Sequence, residues 1–181
     1  MNKTIFSLLG LVLLMVPLSI WAEKADRDKP MNIEADRLDH DELKQISIFK
    51  GRVVATKGTL ILRGALLEVR QDPEGYQYGV MTPPPGERAF YRQKREGLNE
   101  WMEGEADRIE YDGKADRVTL IQRSELRRYR GTELSDEMHG QRIVYENLTD
   151  QFIVDGKSAL AGPSTGRIRA VLTPKKKEDK P

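Results

Sequence analysis

Apolar residues two positions apart, with charges beside or between them, recur through this chain, and that spacing constrains the fold more than any other feature. They fall at Leu60 and Leu62, Leu67 and Val69, Tyr76, Tyr78 and Val80, Ile109 and Tyr111, Val118 and Leu120, Ile143 and Tyr145, and Phe152 and Val154, with Glu68, Glu110, Arg117 and Arg142 among the intervening or flanking charges. Side chains on a strand alternate between faces, so each segment presents one apolar and one polar face. Helix periodicity is hard to find beyond the N-terminal segment. Ile61, Leu66, Ile121, Val144 and Ile153 interrupt the alternation, which implies that some strands are covered on both faces. Short polar stretches at Asp72-Pro73-Glu74-Gly75, Asp112-Gly113-Lys114 and Glu146-Asn147-Leu148-Thr149-Asp150 supply the turns. The expected class is all-β and antiparallel: a sandwich, jelly roll or incomplete barrel in one domain.

A weak repeat supports this. Ala-Asp-Arg followed by an aliphatic residue starts at Ala35, Ala106 and Ala115, and Gly140-Gln141-Arg142-Ile143 is a degenerate fourth copy. Each copy is expected to open a strand with a polar lip and then turn apolar side chains inward. Residues 81–97 break the rhythm with Pro83-Pro84-Pro85-Gly86 and the basic Arg92-Gln93-Lys94-Arg95. They read as a loop holding a short strand at Ala89-Phe90-Tyr91.

The apolar content is unevenly spread. Residues 5–16 form an apolar run after Lys3, too short for a bilayer span of about 20 residues and suited to a secretory signal. Pro17 ends the run and Ala22 is the expected cleavage residue. The predicted organisation is a signal peptide at 1–22, a flexible segment at 23–30, the β domain at 31–173 and a disordered basic tail at 174–181. Cleavage would remove one base and no acid, so 30 Lys+Arg against 29 Asp+Glu becomes an even balance. Such balance argues against a nucleic-acid partner, which calls for a net basic face. The absence of cysteine excludes disulfide staples, a thiol nucleophile and lipidation after the signal.

Catalytic chemistry finds little support. His40 and His139 show no metal-ligand spacing, and His40 reads as a half-buried, hydrogen-bonded histidine rather than a ligand. No Gly-x-Ser-x-Gly elbow or phosphate loop occurs, and nothing singles out a carboxylate pair. No cofactor or metal is expected, and the chain does not read as an enzyme. Asn147-Leu148-Thr149 fits a hairpin turn better than a glycan acceptor.

Met31-Asn32-Ile33-Glu34-Ala35-Asp36, then Phe49-Lys50-Gly51-Arg52-Val53, Gly58-Thr59-Leu60-Ile61-Leu62 and Leu67-Glu68-Val69 resemble the OstA-like family of lipopolysaccharide-transport proteins. Ala89-Phe90-Tyr91, Glu103-Gly104-Glu105-Ala106 leading to Ile109-Glu110-Tyr111, and Gly140 leading to Ile143 and Tyr145 continue the likeness. It spans about residues 31–172 and rests on the order and spacing of its motifs. The sequence departs at Gln122-Arg123-Ser124, where the family often has Gly-Asn-Ala or Gly-Asn-Val.

The resemblance implies a twisted, open β-jelly roll in the periplasm that shields the lipid A acyl chains of lipopolysaccharide. It further implies head-to-tail stacking and edge-strand pairing with inner-membrane LptC and outer-membrane LptD, through strands near residues 31–36 and 168–172. By alternation and family position, the candidate groove residues are Met31, Ile33, Leu38, Ile48, Val53, Leu60, Leu62, Leu67, Val69, Phe90, Ile109, Tyr111, Val118, Leu120, Ile143, Tyr145, Phe152 and Val154. Ile33, Phe90, Ile109 and Tyr111 match ligand-facing family positions. Other readings stay open: a strand-pairing structural adaptor with a filled core, an LptC-like relative anchored in the inner membrane by an uncleaved N-terminus, and, as a minor case, a periplasmic hydrolase.

Overall fold

The computed structural model describes residues 26, 29–95, 98–157 and 166–174. The expected signal peptide and residues 175–181 of the expected tail lie outside the described residues. Within 23–30, Asp26 accepts a hydrogen bond from the Thr59 amide at 2.7 Å and one from Gln93 Nε2 at 3.2 Å, so at this residue the segment is docked onto the domain.

Twelve strands follow one another: β1 (Asn32–Glu34), β2 (Arg37–Asp41), β3 (Ile46–Lys57), β4 (Leu60–Gln71), β5 (Gln77–Thr82), β6 (Ala89–Lys94), β7 (Glu100–Ala106), β8 (Arg108–Asp112), β9 (Arg117–Arg130), β10 (Glu133–Glu146), β11 (Gln151–Asp155) and β12 (Arg169–Leu172). All of their pairings are antiparallel. The Ala-Asp-Arg copies do open strands: Arg37, Arg108 and Arg117 are the first residues of β2, β8 and β9. Gly140 instead lies inside β10. β6 runs on to Lys94, so part of the basic stretch expected to be loop is strand.

Four long strands, β3, β4, β9 and β10, each serve two sheets. The front half of β3 pairs with β2 and the back half with β1. In β4, Ile61 to Arg63 pair with β6, and Leu66 to Gln71 with β5. β9 pairs first with β8 and then with β7, and β10 pairs with β12 and then with β11. One sheet thus runs β2, β3, β4, β5, β8, β9, β10, β11, and the other β1, β3, β4, β6, β7, β9, β10, β12. The result is a sheet folded over on itself, a twisted jelly roll, V-shaped in section, with the bends along its vertex.

The bends have a local cause. The β3–β4 register shifts between Lys50 and Val53, where Gly51 has φ 75° and Arg52 φ 41°. The β9–β10 register shifts between Gly140 and Arg142, facing Gln122 (φ 63°) and Arg123 (φ 47°). Extra residues of this kind increase twist and turn a strand's direction. The polar pair that departs from the family pattern therefore makes a bend within one continuous strand.

Side chains from both sheets fill the space between them in one cluster, including Leu62, Tyr91, Met102, Leu126 and Met138 from one and Leu67, Met81, Ile109, Leu120 and Ile143 from the other. Close approach at the vertex needs glycine. A Cβ on Gly64 would lie 2.6 Å from Met81 Sδ and 2.7 Å from the Thr82 carbonyl oxygen, and the latter is backbone and cannot step aside. Gly64→Ala should therefore cost about 1–3 kcal/mol through overpacking, read as a lower midpoint in urea unfolding. An unchanged midpoint would mean the vertex is looser than this contact requires.

Candidate lipid groove

The space between the sheets is the candidate site, and the register decides which side chains reach it. Antiparallel partners share a face, so Ala55 with Leu62 and Leu62 with Tyr91 form an inward row on one sheet. Leu67 with Met81, Met81 with Ile109, and Ile109 with Leu120 form one on the other. Of the eighteen sequence candidates, Val53, Leu60, Leu62, Leu67, Val69, Ile109, Tyr111, Val118, Leu120, Ile143 and Tyr145 are buried in this common cluster. Met31 and Ile33 on the N-terminal side and Phe152 and Val154 on the C-terminal side pack against it while partly buried, at the two ends of the roll.

Three candidates sit elsewhere. Phe90 is on the outer face, because its neighbours Ala89 and Tyr91 point inward; the Arg63 guanidinium lies 4.0 Å from its ring centre. Ile48 also points outward, registered with Asp39 on one side and Glu68 on the other. It lines a shallow outer cavity with Ile46, Asp41 and Lys44. Leu38 is in register with Phe49 but is 54% exposed, since β2 is an edge strand with a neighbour on one side only among the described residues. His40 is satisfied by Ser47 at 2.9 Å and Glu42 at 2.8 Å, and is exposed rather than half-buried.

The lining also holds residues that alternation missed: Ala55, Met81, Ala89, Tyr91, Met102, Ala106, Leu126 and Met138, with Phe49 partly buried beside them. In β5 the inward residues are Gly79 and Met81, while Tyr78 and Val80 face away. The bend inside β4 resets the parity after Gly64, and with it the inward face of β5. The Met102, Gly104, Ala106 alternation in β7 was available as a signal, but its small residues hid it.

A polar belt rims the wide side of the V, opposite the vertex. Gln93, Lys57 and Asp116 are buried there. The Tyr91 hydroxyl donates to Gln93 Oε1 at 3.1 Å, and Asn147 Nδ2 donates to Asp116 Oδ2 at 2.8 Å. Lys57 Nζ, on one sheet, lies 5.7 Å from the Tyr111 ring centre on the other. Burial raises the Tyr91 phenol well above the usual 10.0, with Tyr145 and Asp116 adding to the rise, and burial raises Tyr145 as well. Both phenols therefore stay protonated. The outer face is held differently, by ion pairs such as Arg127 to Glu105 at 2.9 Å and Arg88 to Glu125 at 3.0 Å. Among the described residues, Glu125, Glu137 and His139 come within ligand reach of one another on that face, but Glu125 already serves Arg88 and Arg127.

An all-antiparallel β roll whose two sheets share one apolar core and whose end strands leave open edges defines the class: a twisted β-jelly roll. The family described as "LptA/(LptD N-terminal domain) LPS transport protein" matches residues 32–151. The chain belongs to that family. It is 29% identical over 156 residues to the lipopolysaccharide export system protein LptH of Pseudomonas aeruginosa, covering 84% of each chain. To the lipopolysaccharide export system protein LptA of Escherichia coli K12 it is 27% identical over 172 residues, covering 93% of this chain and 84% of the relative. The crystal structure of LptH, described as the LptA-homologous periplasmic component of the lipopolysaccharide transport device of Pseudomonas aeruginosa, superposes with a TM-score of 0.71. That match has 23% identity and covers 82% of this chain and 99% of the other, showing a common fold.

The inward and outward placement of two adjacent aromatics is directly measurable. Tyr91→Ala should cost about 3–5 kcal/mol as a large core truncation, whereas Phe90→Ala should cost about 1 kcal/mol or less, the scale of an exposed cation–π contact. Equal losses in thermal unfolding would overturn the register of β6. Because the fold favours the neutral Tyr91 phenol, its stabilisation is complete below pH 10.0 and is lost as pH rises through the higher folded value. Tyr91→Phe should flatten that alkaline loss.

Proposed function

We propose that this chain is exported to the periplasm and carries lipopolysaccharide there, holding the lipid A acyl chains between the two sheets. The observation that carries the reading is the inner face itself: a continuous apolar lining that reaches both ends of the roll, where Met31, Ile33, Phe152 and Val154 remain partly open. Acyl chains cannot cross water bare, since each exposed methylene costs about 0.8 kcal/mol. Nonpolar lining without base-like or sugar-like hydrogen-bond patterns grips chains without fixing their position, as transport needs.

Partners follow from the edges. Among the described residues, β1 and β2 at one end, and β11 and β12 at the other, each pair on one side only. Exposed Leu38 lies at the first end, and exposed Ile153, Ile168, Val171 and Leu172 at the second. Unpaired strand edges next to exposed apolar side chains favour strand addition. On this reading the rolls stack head to tail and dock LptC at one end and LptD at the other, making a bridge between inner and outer membranes.

One observation favours a different use of the same fold: the mid-roll lining, Leu62, Leu67, Met81, Tyr91 and Ile109 among it, is completely packed. That suits an adaptor with a filled core that works through its edges alone. A photo-crosslinking residue at Tyr111, compared with one at Phe90, separates the two. Transport predicts lipopolysaccharide captured from Tyr111 at least about tenfold more than from the outward Phe90, reflecting groove burial. Equal or absent capture, with head-to-tail association intact by sedimentation, would establish the adaptor.

A further inference from the structure

The packed lining sets a problem for the transport reading, on which this inference rests: a guest enters only if the two sheets separate. The vertex cannot yield, because four continuous strands run through it. Separation must occur at the opposite rim, where turns of the two sheets face each other, and what ties that rim decides how it opens.

Arg95 follows β6 on one sheet, and Asp150 ends the β10–β11 turn on the other. Arg95 Nε donates to Asp150 Oδ1 at 2.8 Å, and Arg95 Nη2 pairs with the second carboxylate oxygen. The guanidinium is mostly buried, with 12% of the side chain exposed, and its far side is paired with Glu100 on its own sheet. The Tyr145 hydroxyl donates to the same Asp150 Oδ1 at 3.1 Å. Asp150 itself sits at φ 54°, a conformation that asparagine and aspartate tolerate best. Its carboxylate is thus presented across the seam by the turn, and the arginine is braced from behind. A two-pronged guanidinium–carboxylate contact has defined geometry and is shielded here from most of the solvent.

We infer that Arg95 and Asp150 form a latch across the open side of the roll, which holds the apolar lining closed when empty and releases when acyl chains enter. The latch is suited to repeated use. Opened, Arg95 keeps Glu100 as a partner and Asp150 keeps the Tyr145 hydroxyl, so neither charge is stranded. The gap it leaves is lined by Tyr91, Tyr111 and Tyr145, whose rings tolerate both hydrocarbon and the polar boundary above it.

The chain lacks cysteine, so exposed Asn99 and Leu148, on opposite rims, take unique labels as N99C and L148C. With spin labels there, added purified lipopolysaccharide should lengthen the measured inter-rim distance, and Asp150→Asn should populate the longer distance without lipid. D150N removes charge while keeping an acceptor for Tyr145 and tolerance of the turn. Its uptake of fluorescent lipopolysaccharide should be about five- to tenfold faster than wild type, the scale of losing a shielded charge-assisted contact, while Arg95→Lys should fall between the two. Tethering N99C to L148C with a short bis-maleimide should abolish uptake that the untethered variant retains. Uptake by the tethered roll at the untethered rate, or a D150N distance distribution and rate matching wild type, would overturn the latch. If wild type itself takes up no lipopolysaccharide, the transport reading fails instead.

Discussion

Everything in this roll depends on four strands crossing from one sheet to the other without breaking. A two-sheet sandwich needs its inner faces covered, and here one folded sheet supplies both covers. At the bend, β4 and β10 change the parity of their inward residues, from Leu62 to Leu67 and from Met138 to Ile143, while β3 and β9 keep theirs. The left-handed residues Gly51, Arg52, Gln122 and Arg123 and the register shifts beside them accompany that change. Backbone conformations of this kind cost energy in non-glycine residues, and the packing on either side sustains them. The bends therefore set the chemistry of the interior: they decide which side chain of each adjacent pair becomes lining and which meets water.

The same bends explain what could be read in the sequence. Period-two spacing revealed most strands and the all-β class, and eleven of the eighteen groove candidates fall in the buried cluster. Alternation is a local signal, however, and it carries no information across a bend. Leu60 and Leu62 and then Leu67 and Val69 were legible as two separate runs. The parity change between them was not, and the inward Gly79 and Met81 of β5 were not among the candidates. Phe90 and Tyr91 are adjacent aromatics of similar hydrophobicity, so only the pairing of Tyr91 with Leu62 tells them apart. Ile48 misled for another reason: near the edge, where β3 meets β2, apolar residues occupy both faces. Alanine and glycine in the lining of β5 and β7 carry too little side chain to stand out as an apolar face, even where charges alternate with them as in β7.

The near balance of 30 Lys+Arg against 29 Asp+Glu also has a structural meaning. The outer faces carry cross-strand pairs, Arg127 with Glu105 and Arg142 with Asp155 among them. Such exposed or half-exposed pairs contribute little stability individually, about 0–1 kcal/mol each. Their consequence lies in exclusion: a charged exterior has no affinity for hydrocarbon and keeps the faces from sticking to one another. Apolar exposure is left at the ends, on Leu38, Val171 and Leu172, where unpaired strand edges also lie. On the stacking proposed above, association would thereby be directed along the axis of the roll rather than across its faces.

Carrying hydrocarbon through such a roll requires exchange of one apolar contact for another. When the sheets part around an acyl chain, each lining side chain loses its partner across the V and gains methylenes of the guest, so the two terms of about 25 cal/mol per Å² largely cancel. What does not cancel is the polar rim, where Gln93, Asp116 and the Arg95–Asp150 pair exchange buried partners for water. On the proposed reading, the barrier to entry and exit would therefore reside at the rim, while movement along the interior would be nearly level. A carrier needs that division, because a guest bound tightly at every point would not advance, and one held nowhere would be lost to the aqueous phase.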